Sequence, residues 1–317
     1  MKQSIGIDIS KATFDVYDGE RSAQFHNTPS GFKQLKTWIN TPDSCHIIME
    51  ATGHYSHGLA LYLHEQNIPV SIINPLQIKR YAQSKLQRVK TDQQDAKLLQ
   101  AYGEQNTPPI WQPTPKAIAD LHELIQLQEL LLHQQTQLRN QSDRMLSPQV
   151  KQLQHQQLES IKHRLKEIDK NIKKSLNEHS ELKESAQLLC SIPGLSELSS
   201  AKVLCAIKDI SRFNSGKQVA CYAGVTPMIT ESGSSVKGSK MSRVGHSGLR
   251  KALYMPALAA IRHNPVLKAY SDQLKARGMA GMKRVVAVMR KLCHLIFAVL
   301  KNKKPFDPNY RNTVLTS

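Results

Sequence analysis

Apolar and polar positions alternate in short runs over the first hundred residues, and helical repeats separate these runs. Turn residues, including the Asn74-Pro75 break, mark where the elements end. The predicted strands are residues 4–9, 13–17, 23–26, 46–49 and 70–73, and the predicted helices are residues 32–39, 59–64, 76–82 and 91–102. Three strands in a meander, followed by further strands and helices, predict an α/β domain with a mixed sheet.

The middle of the chain has a different pattern, because residues 115–182 are rich in Leu, Gln, His and Lys and contain no glycine. This pattern predicts two long helices with a break near Pro148. Leu121, Leu124, Leu127 and Leu131 recur at steps of three and four residues, which is the spacing of a seam for a partner helix. The partner helix belongs either to the same chain, as a helical hairpin, or to a second copy.

Glycine and proline return after residue 185, and helical repeats continue on both sides of a Gly/Ser/Lys loop. We therefore expect an α/β domain followed by mostly α structure. The expected divisions are an N-terminal domain at residues 1–110, a coiled-coil-like helical connector at 111–182, a C-terminal helical domain at 183–305 and a weakly structured tail at 306–317.

Composition excludes several classes of protein. The chain has 317 residues, 40% of them hydrophobic, and a mean hydropathy of −0.42, so it can bury a core. The longest late apolar run, residues 295–300, is far shorter than the ~20 residues that span a membrane. The five cysteines form no CxxC pair, which argues against a disulfide framework or a cysteine-rich zinc site. We expect a protein of the reducing prokaryotic cytosol, associated with the nucleoid and not with membranes.

The net charge of +18 is concentrated in two regions. Residues 233–304 contain sixteen Lys or Arg and one acid, and a second basic cluster lies within residues 76–91. Such clusters are either solvated surfaces or binding surfaces for a polyanion, and nucleic acid is the favoured partner. The candidate nucleic-acid contacts are Lys79, Arg80, Lys85, Arg88, Lys90, Lys237, Lys240, Arg243, Arg250 and Lys251.

Four carboxylates follow predicted strands or begin a predicted helix. Asp8 and Glu50 end the first and fourth strands, while Asp92 and Asp95 share one face at the start of a helix. If they converge, their mutual repulsion favours a bound divalent cation, and Mg²⁺ is the hard cation suited to phosphodiester chemistry. The alternative is that each acid is ordinary, with Asp92 capping its helix and Glu50 paired with a lysine.

Motifs across the whole chain resemble those of one family. The N-terminal motifs are Gly6-Ile-Asp8-Ile-Ser-Lys11, Met49-Glu50-Ala-Thr-Gly-His-Tyr55, Ile73-Asn-Pro75 and Lys90-Thr-Asp92-Gln-Gln-Asp95-Ala. The C-terminal motifs are Ser191-Ile-Pro-Gly194, Ala223-Gly-Val-Thr-Pro227, Glu231-Ser-Gly-Ser-Ser235 and Gly245-His-Ser-Gly-Leu-Arg250. In this order they resemble the DEDD-type insertion-sequence transposases, the family that includes Piv-like DNA recombinases.

The resemblance implies a RuvC-like, ribonuclease-H-type N-terminal domain that binds Mg²⁺ through four acids, namely Asp8, Glu50, Asp92 and Asp95. It also implies a serine recombinase in which Ser232 attacks DNA and forms a phosphoserine link. A structured non-coding bridge RNA is the implied guide, pairing with donor and target DNA. Cutting both strands at two sites requires several protomers, so we expect a homo-dimer or homo-tetramer.

Several alternatives stay open at this stage. Composition alone favours a flexible Gly/Ser loop around Ser232, and Ser234 is a possible substitute nucleophile. The turn Pro193-Gly194-Leu195-Ser196 is either a phosphate-binding helix-hairpin-helix or a packing turn. The rival functions are a hydrolytic junction nuclease, a Piv-like DNA invertase, a sugar-kinase-like ATP-binding protein and a nucleic-acid-binding scaffold without activity.

Overall fold

The computed structural model describes residues 3–39, 44–53, 55–86, 91–142, 147–232, 236–242 and 244–309, with the backbone alone for 229–232 and 236–240. The chain divides into two compact units, Met1–Pro113 and Thr114–Ser317. Within the described residues, no helix is long and apolar enough to cross a membrane.

The first unit contains a five-stranded sheet among its described residues. The strands are β1 (Gln3–Ile9), β2 (Thr13–Tyr17), β3 (Ser22–His26), β4 (Cys45–Glu50) and β5 (Val70–Ile73), in the order β3-β2-β1-β4-β5. The helices are α1 (Pro29–Trp38), α2 (Tyr55–Glu65), α3 (Pro75–Ser84) and α4 (Asp92–Asn106). The first three strands are antiparallel, while β4 runs parallel to both β1 and β5. The prediction of a mixed sheet is confirmed.

Alternating side chains of the sheet enter two separate cores. Ile5, Ile7 and Phe14 lie in one core with buried residues of α1 and α2. Ile48 belongs to the other core, with Leu98 and Leu99 of α4. Helices therefore cover both faces of the sheet, as expected for a sheet with buried parallel strands.

One edge of the sheet is covered by the segment that follows α4. The Trp111 N–H donates to the Val70 carbonyl of β5 at 2.6 Å. The Ser71 hydroxyl donates to the carbonyls of Pro108 and Pro109, at 3.1 and 2.7 Å, and contacts the His46 ring at 2.8 Å. The segment from Pro108 to Trp111 therefore packs as part of the first unit.

The second unit is mostly helical. Its helices are α5 (Lys116–Ser142), α6 (Pro148–Glu178), α7 (Ser180–Cys190), α8 (Glu197–Ile207), α9 (Gly216–Ala223), α10 (Ser247–His263), α11 (Pro265–Ala276) and α12 (Gly281–Asn302). A short 3-10 helix spans Ile210–Arg212. The predicted long helices are confirmed as α5 and α6, which share one apolar core with the helices that follow. The side-chain amide of Gln128 donates to Asp169 across this pair.

The Gly/Ser/Lys segment differs from its sequence prediction. Residues Pro227–Ser232 (β6) and Val236–Met241 (β7) pair as an antiparallel two-stranded ribbon rather than forming an open loop. Backbone hydrogen bonds between strands need no apolar side chains, which is why composition favoured a loop. Residues 233–235, which connect the two strands in sequence, lie outside the described residues.

Candidate functional site

The four predicted acidic residues lie on one face of the first unit because α4 packs directly on β1. A β-carbon on Gly6 would overlap the carbonyl oxygen of Ala96, and it would stand 2.5 Å from the Gln100 nitrogen. Farther along α4, a β-carbon on Gly103 would stand 3.0 Å from the hydroxyl of Ser4. The helix therefore runs antiparallel to β1, with its first turn toward the Asp8 end of the strand.

Asp8 and Glu50 lie on neighbouring parallel strands. Gly6 is opposite Ile48 in the register, and Ile7 is opposite Met49. Asp8 and Glu50 follow one position later and therefore share the sheet face that α4 covers. Glu50 is the last residue of β4, whereas Asp8 precedes the last residue of β1.

Asp92 and Asp95 both lie in the first turn of α4. Thr91 is the N-cap, and its hydroxyl accepts the Gln94 N–H at 3.3 Å. The alternative in which Asp92 caps the helix is therefore wrong. Asp92 is exposed and Asp95 half-buried, and both lie where the helix dipole favours negative charge.

The electrostatics of Asp8 place all four acids in one neighbourhood. The pKa of Asp8 is raised to about 6, first by burial and then by the negative charges of Asp95, Asp92 and Glu50, in that order. A backbone hydrogen bond from Ile9 opposes the shift. The other three acids therefore act on Asp8 as like charges, which disfavour its ionised form.

A divalent cation fits this donor set chemically. All four side chains offer hard oxygen ligands, and a cation would relieve the repulsion that raises the pKa of Asp8. Among the described residues, however, no three His, Cys, Asp or Glu side chains are close enough together to enclose a metal ion. The acids thus share a neighbourhood without forming a closed coordination sphere.

Sequence reasoning missed one further acid on this face. Asp15 of β2 lies directly opposite Asp8 in the antiparallel register and is only 6% exposed. The side-chain amide of Gln24 contacts both of its carboxylate oxygens, at 3.1 and 3.3 Å. The signal was available, because Asp15 is the polar position between Phe14 and Val16 in a predicted strand.

Ser232 belongs to the second unit and is the final residue of β6. Its backbone pairs with Val236, and the neighbouring Glu231 pairs with Lys237. Ser232 therefore belongs to the last residue pair of the ribbon. Ser234 lies outside the described residues.

The candidate nucleic-acid contacts occur in different settings. Lys79, Arg80 and Lys85 are exposed on or just after α3, and Lys251 is exposed on α10. The guanidinium of Arg250 donates to the Ala223 carbonyl at 3.1 Å, at the end of α9. Lys237 and Lys240 belong to β7, whereas Arg88, Lys90 and Arg243 lie outside the described residues.

The turn before α8 is built for close packing. Gly194 has φ +111°, and a β-carbon there would stand 2.8 Å from the backbone nitrogen of Ala260. Ser196, where a helix-hairpin-helix usually has glycine, caps α8 in a reciprocal capping box with Ser199. Of the two alternatives, this geometry favours the packing turn.

Comparison with protein families gives two matches along the chain. A family described as "Transposase" matches residues 5–149, which include the four acids. A family described as "Transposase IS116/IS110/IS902 family" matches residues 186–272, which include β6, β7 and α10.

Two relatives are similar over nearly the whole chain. The pilin gene-inverting protein of Moraxella bovis is 36% identical, and that of Moraxella lacunata is 35% identical. Each alignment covers 96% of this chain and 98% of the relative. A protein of the insertion element IS110 from Streptomyces coelicolor is 27% identical over 36% of this chain and 28% of its own length.

Proposed function

The chain belongs to the IS116/IS110/IS902 family of transposases and is thus a DNA recombinase, and we propose that it cuts and rejoins DNA through a phosphoserine link at Ser232. Its substrates are DNA, and the transposases with the DEDD model generally depend on a divalent metal. The observation that carries the catalytic role of the first unit is the position of Asp8 and Glu50 on the sheet face that α4 covers, with Asp92 and Asp95 in the first turn of that helix.

The first unit acts as a RuvC-like, ribonuclease-H-type domain in this proposal. Support comes from the sheet order β3-β2-β1-β4-β5, with an antiparallel meander followed by parallel strands. The acids stand at the end of β1, the end of β4 and the start of α4. This arrangement lets residues far apart in sequence serve one reaction.

Asp8, Glu50, Asp92 and Asp95 would hold Mg²⁺. When bound, Mg²⁺ supplies positive charge at a phosphodiester and lowers the pKa of an attacking hydroxyl. The protein contributes the ligands, and α4 keeps Asp92 and Asp95 on the side of the sheet that Asp8 and Glu50 share.

Ser232 supplies the nucleophile. Its hydroxyl oxygen forms a bond to phosphorus as the bond from phosphorus to a deoxyribose oxygen breaks, and the serine proton is balanced by a proton on the departing hydroxyl. The seryl phosphodiester keeps the energy of the broken bond. A strand hydroxyl then reverses the exchange and joins new partners without ATP.

The partners in this proposal are donor DNA, target DNA and a structured bridge RNA. The exposed cations Lys79, Arg80, Lys85 and Lys251 supply charge for phosphate backbones. Because the chain reacts with two DNA sites, it works as a homo-dimer or homo-tetramer. The RNA provides the sequence recognition, so the protein itself needs only backbone contacts.

DNA inversion is the second candidate function. It is favoured by the similarity to two pilin gene-inverting proteins along nearly the full length of both chains. Inversion and transposition use the same cutting and joining chemistry and differ in how the two sites are arranged.

Denaturing electrophoresis tests the chemistry. End-labelled DNA with both element ends is incubated with protein, Mg²⁺ and RNA transcribed from the non-coding flank. We expect a protein–DNA adduct with wild type and with Ser234→Ala, and none with Ser232→Ala or Asp92→Asn. Cleavage without an adduct in any protein would instead identify a hydrolytic nuclease. An adduct formed without the RNA would contradict the role of the guide.

A further inference from the structure

The turn that follows α8 holds a lysine in a strained backbone conformation. Lys208 has φ +62° and ψ −68°, and the Asp209 N–H donates to the Ile207 carbonyl at 2.8 Å across it. This geometry is a γ-turn of the rare positive-φ form, which is costly for any residue with a β-carbon. Glycine would fit here without strain, so the chain accepts this strain in order to place a lysine side chain at the turn.

Positive charges are gathered around this turn. The Lys208 ammonium donates to the Thr114 hydroxyl at 3.0 Å. Its pKa is lowered mainly by partial burial, and the positive charge of Arg212 adds to the effect. The neighbouring acid, Asp209, uses its two carboxylate oxygens to accept the Ser211 N–H and hydroxyl. These two hydrogen bonds lower the pKa of Asp209, and the positive charges of Arg212 and Lys301 lower it further.

His246 adds a neutral donor to the same neighbourhood. Its Nδ1 accepts the Leu249 N–H at 3.0 Å and caps α10. Burial lowers the pKa of His246, and Lys208 and His122 lower it further. A neutral imidazole whose Nδ1 accepts a hydrogen bond carries its proton on Nε2, so this nitrogen is a donor.

Tyr222 links these groups into one site. The His246 ring stacks on the Tyr222 ring, with 5.3 Å between centroids. Burial raises the pKa of Tyr222, and the positive charge of the nearby Arg212 guanidinium opposes this shift. The backbone N–H of His246 donates to the Tyr222 carbonyl at 2.6 Å, and the backbone N–H of Ser242 donates to the Thr226 carbonyl at 3.0 Å. These bonds fix the group at the base of the β6–β7 ribbon.

We propose that Lys208, Arg212 and His246 form a binding site for a backbone phosphate of the DNA substrate. Lys208 and Arg212 neutralise the phosphate charge, and His246 donates a hydrogen bond from Nε2. The site rests on the proposed function, since it lies at the opposite end of the ribbon from Ser232. It would hold the DNA against the ribbon that carries the nucleophile.

Salt dependence of binding tests the two cations. Binding of a short fluorescent DNA duplex is measured in EDTA at several salt concentrations, with a matched RNA duplex as a second probe. We expect Lys208→Gln and Arg212→Gln each to reduce the slope of log K against log[salt] for DNA by about one. The matched controls are Arg164→Gln and Lys170→Gln on exposed positions of α6, which remove the same charge. The proposal would be overturned if the site variants and the α6 controls gave equal slopes, or if the slope fell only with the RNA duplex.

His246 gives an independent measurement. His246→Gln should weaken DNA binding about tenfold, since it removes the Nε2 hydrogen bond. It should leave the salt slope unchanged, since the imidazole that it removes is neutral. A loss of slope would mean that His246 acts as a cation, and unchanged affinity would mean that it only caps α10. Either result would contradict its assigned role.

Lys208→Gly separates function from folding. We expect this variant to melt a few degrees above Lys208→Gln, since glycine relieves the positive-φ strain, while DNA binding falls equally in both. If Lys208 had only a structural role, Lys208→Gly and Lys208→Gln would both melt below wild type and would bind DNA as tightly as wild type does. The assay in EDTA needs no cleavage, so failure to form the Ser232 adduct would leave its result intact.

Discussion

The carbonyl oxygen of Ala96 lies in the space that a β-carbon on Gly6 would occupy. This contact brings α4 onto β1, and it thereby brings Asp92 and Asp95 toward Asp8 and Glu50. A single absent methyl group at Gly6 thus permits the approach on which the four-acid neighbourhood depends.

Gly6→Ala should therefore lower the free energy of unfolding by about 3 kcal/mol, because a backbone atom cannot move aside as a flexible side chain can. Urea unfolding measures the change. Gly281→Ala is the control, since nothing lies within 4 Å of a β-carbon at that position. Equal stability of the two variants would show that α4 does not need the close approach.

Asp8 should make the first unit less stable as the pH rises. Its pKa is about 6 in the folded protein against an ordinary 3.8, so its stabilising contribution is complete below pH 3.8 and is lost as the pH rises through 6. At pH 7.5 in EDTA, the free energy of unfolding of Asp8→Asn should exceed that of wild type by about 1 kcal/mol after allowance for solvent screening. Below pH 4 the difference should disappear.

Urea unfolding across this pH range measures the effect, with the exposed Asp120→Asn as the control. Mg²⁺ should then raise the melting temperature of wild type more than that of Asp8→Asn, because it binds the folded carboxylates. The expectation would be wrong if the profiles of Asp8→Asn and Asp120→Asn coincided.

His294 should give the opposite pH dependence in the second unit. It is 2% exposed, its Nε2 has no partner among the described residues, and burial followed by the charges of Lys291, Arg290 and Lys217 lowers its pKa to about 4. The neutral His294 side chain therefore contributes to stability above pH 6.5, and this contribution is lost as the pH falls toward 4.

His294→Leu should remove about 2 kcal/mol of this acid sensitivity, since the unfolded chain no longer gains a proton there. Thermal melting between pH 4 and 7 measures it, with the exposed His263→Gln as the reference. If the melting temperature of His294→Leu fell with pH as steeply as that of wild type, the acid sensitivity would come from other groups.

Gly194→Ala tests the two interpretations of the turn before α8. A packing role predicts a loss of about 3 kcal/mol, from the positive φ and the overlap with Ala260. Gly278 also has a positive φ, of +75°, but nothing lies within 4 Å of a β-carbon there, so Gly278→Ala should lose only about 1 kcal/mol. If Gly194→Ala instead kept wild-type stability and lowered the salt slope of DNA binding, the turn would be a phosphate site.

The strands and acids of the first unit were predictable because their signals are local. Apolar runs bounded by turns define β1 and β4, and the ends of neighbouring parallel strands meet at one edge, which brings Asp8 and Glu50 together. Asp15 needed one further step, the register of the β1–β2 hairpin, which converts a position in sequence into a shared face.

Other features depend on contacts that leave no pattern in the sequence. The β6–β7 ribbon is held by main-chain pairing, so its glycines and serines resemble those of a loop. Lys208, Arg212 and His246 come from separate elements, and only the fold brings Arg212 and His246 close to Tyr222 and Lys208 close to His246. Single cations between helices carry no periodic signal.

The bond between Trp111 and Val70 also decides where the chain can be divided. A fragment that stops at residue 110 would lack the N–H that pairs with the Val70 carbonyl and leave this backbone group at the sheet edge open to other molecules. A fragment that continues to Pro113 keeps the bond, and the Trp111 ring stays between His57 and His64. The protection of this sheet edge in a fragment of the first unit therefore depends on a few residues that belong to no helix or strand.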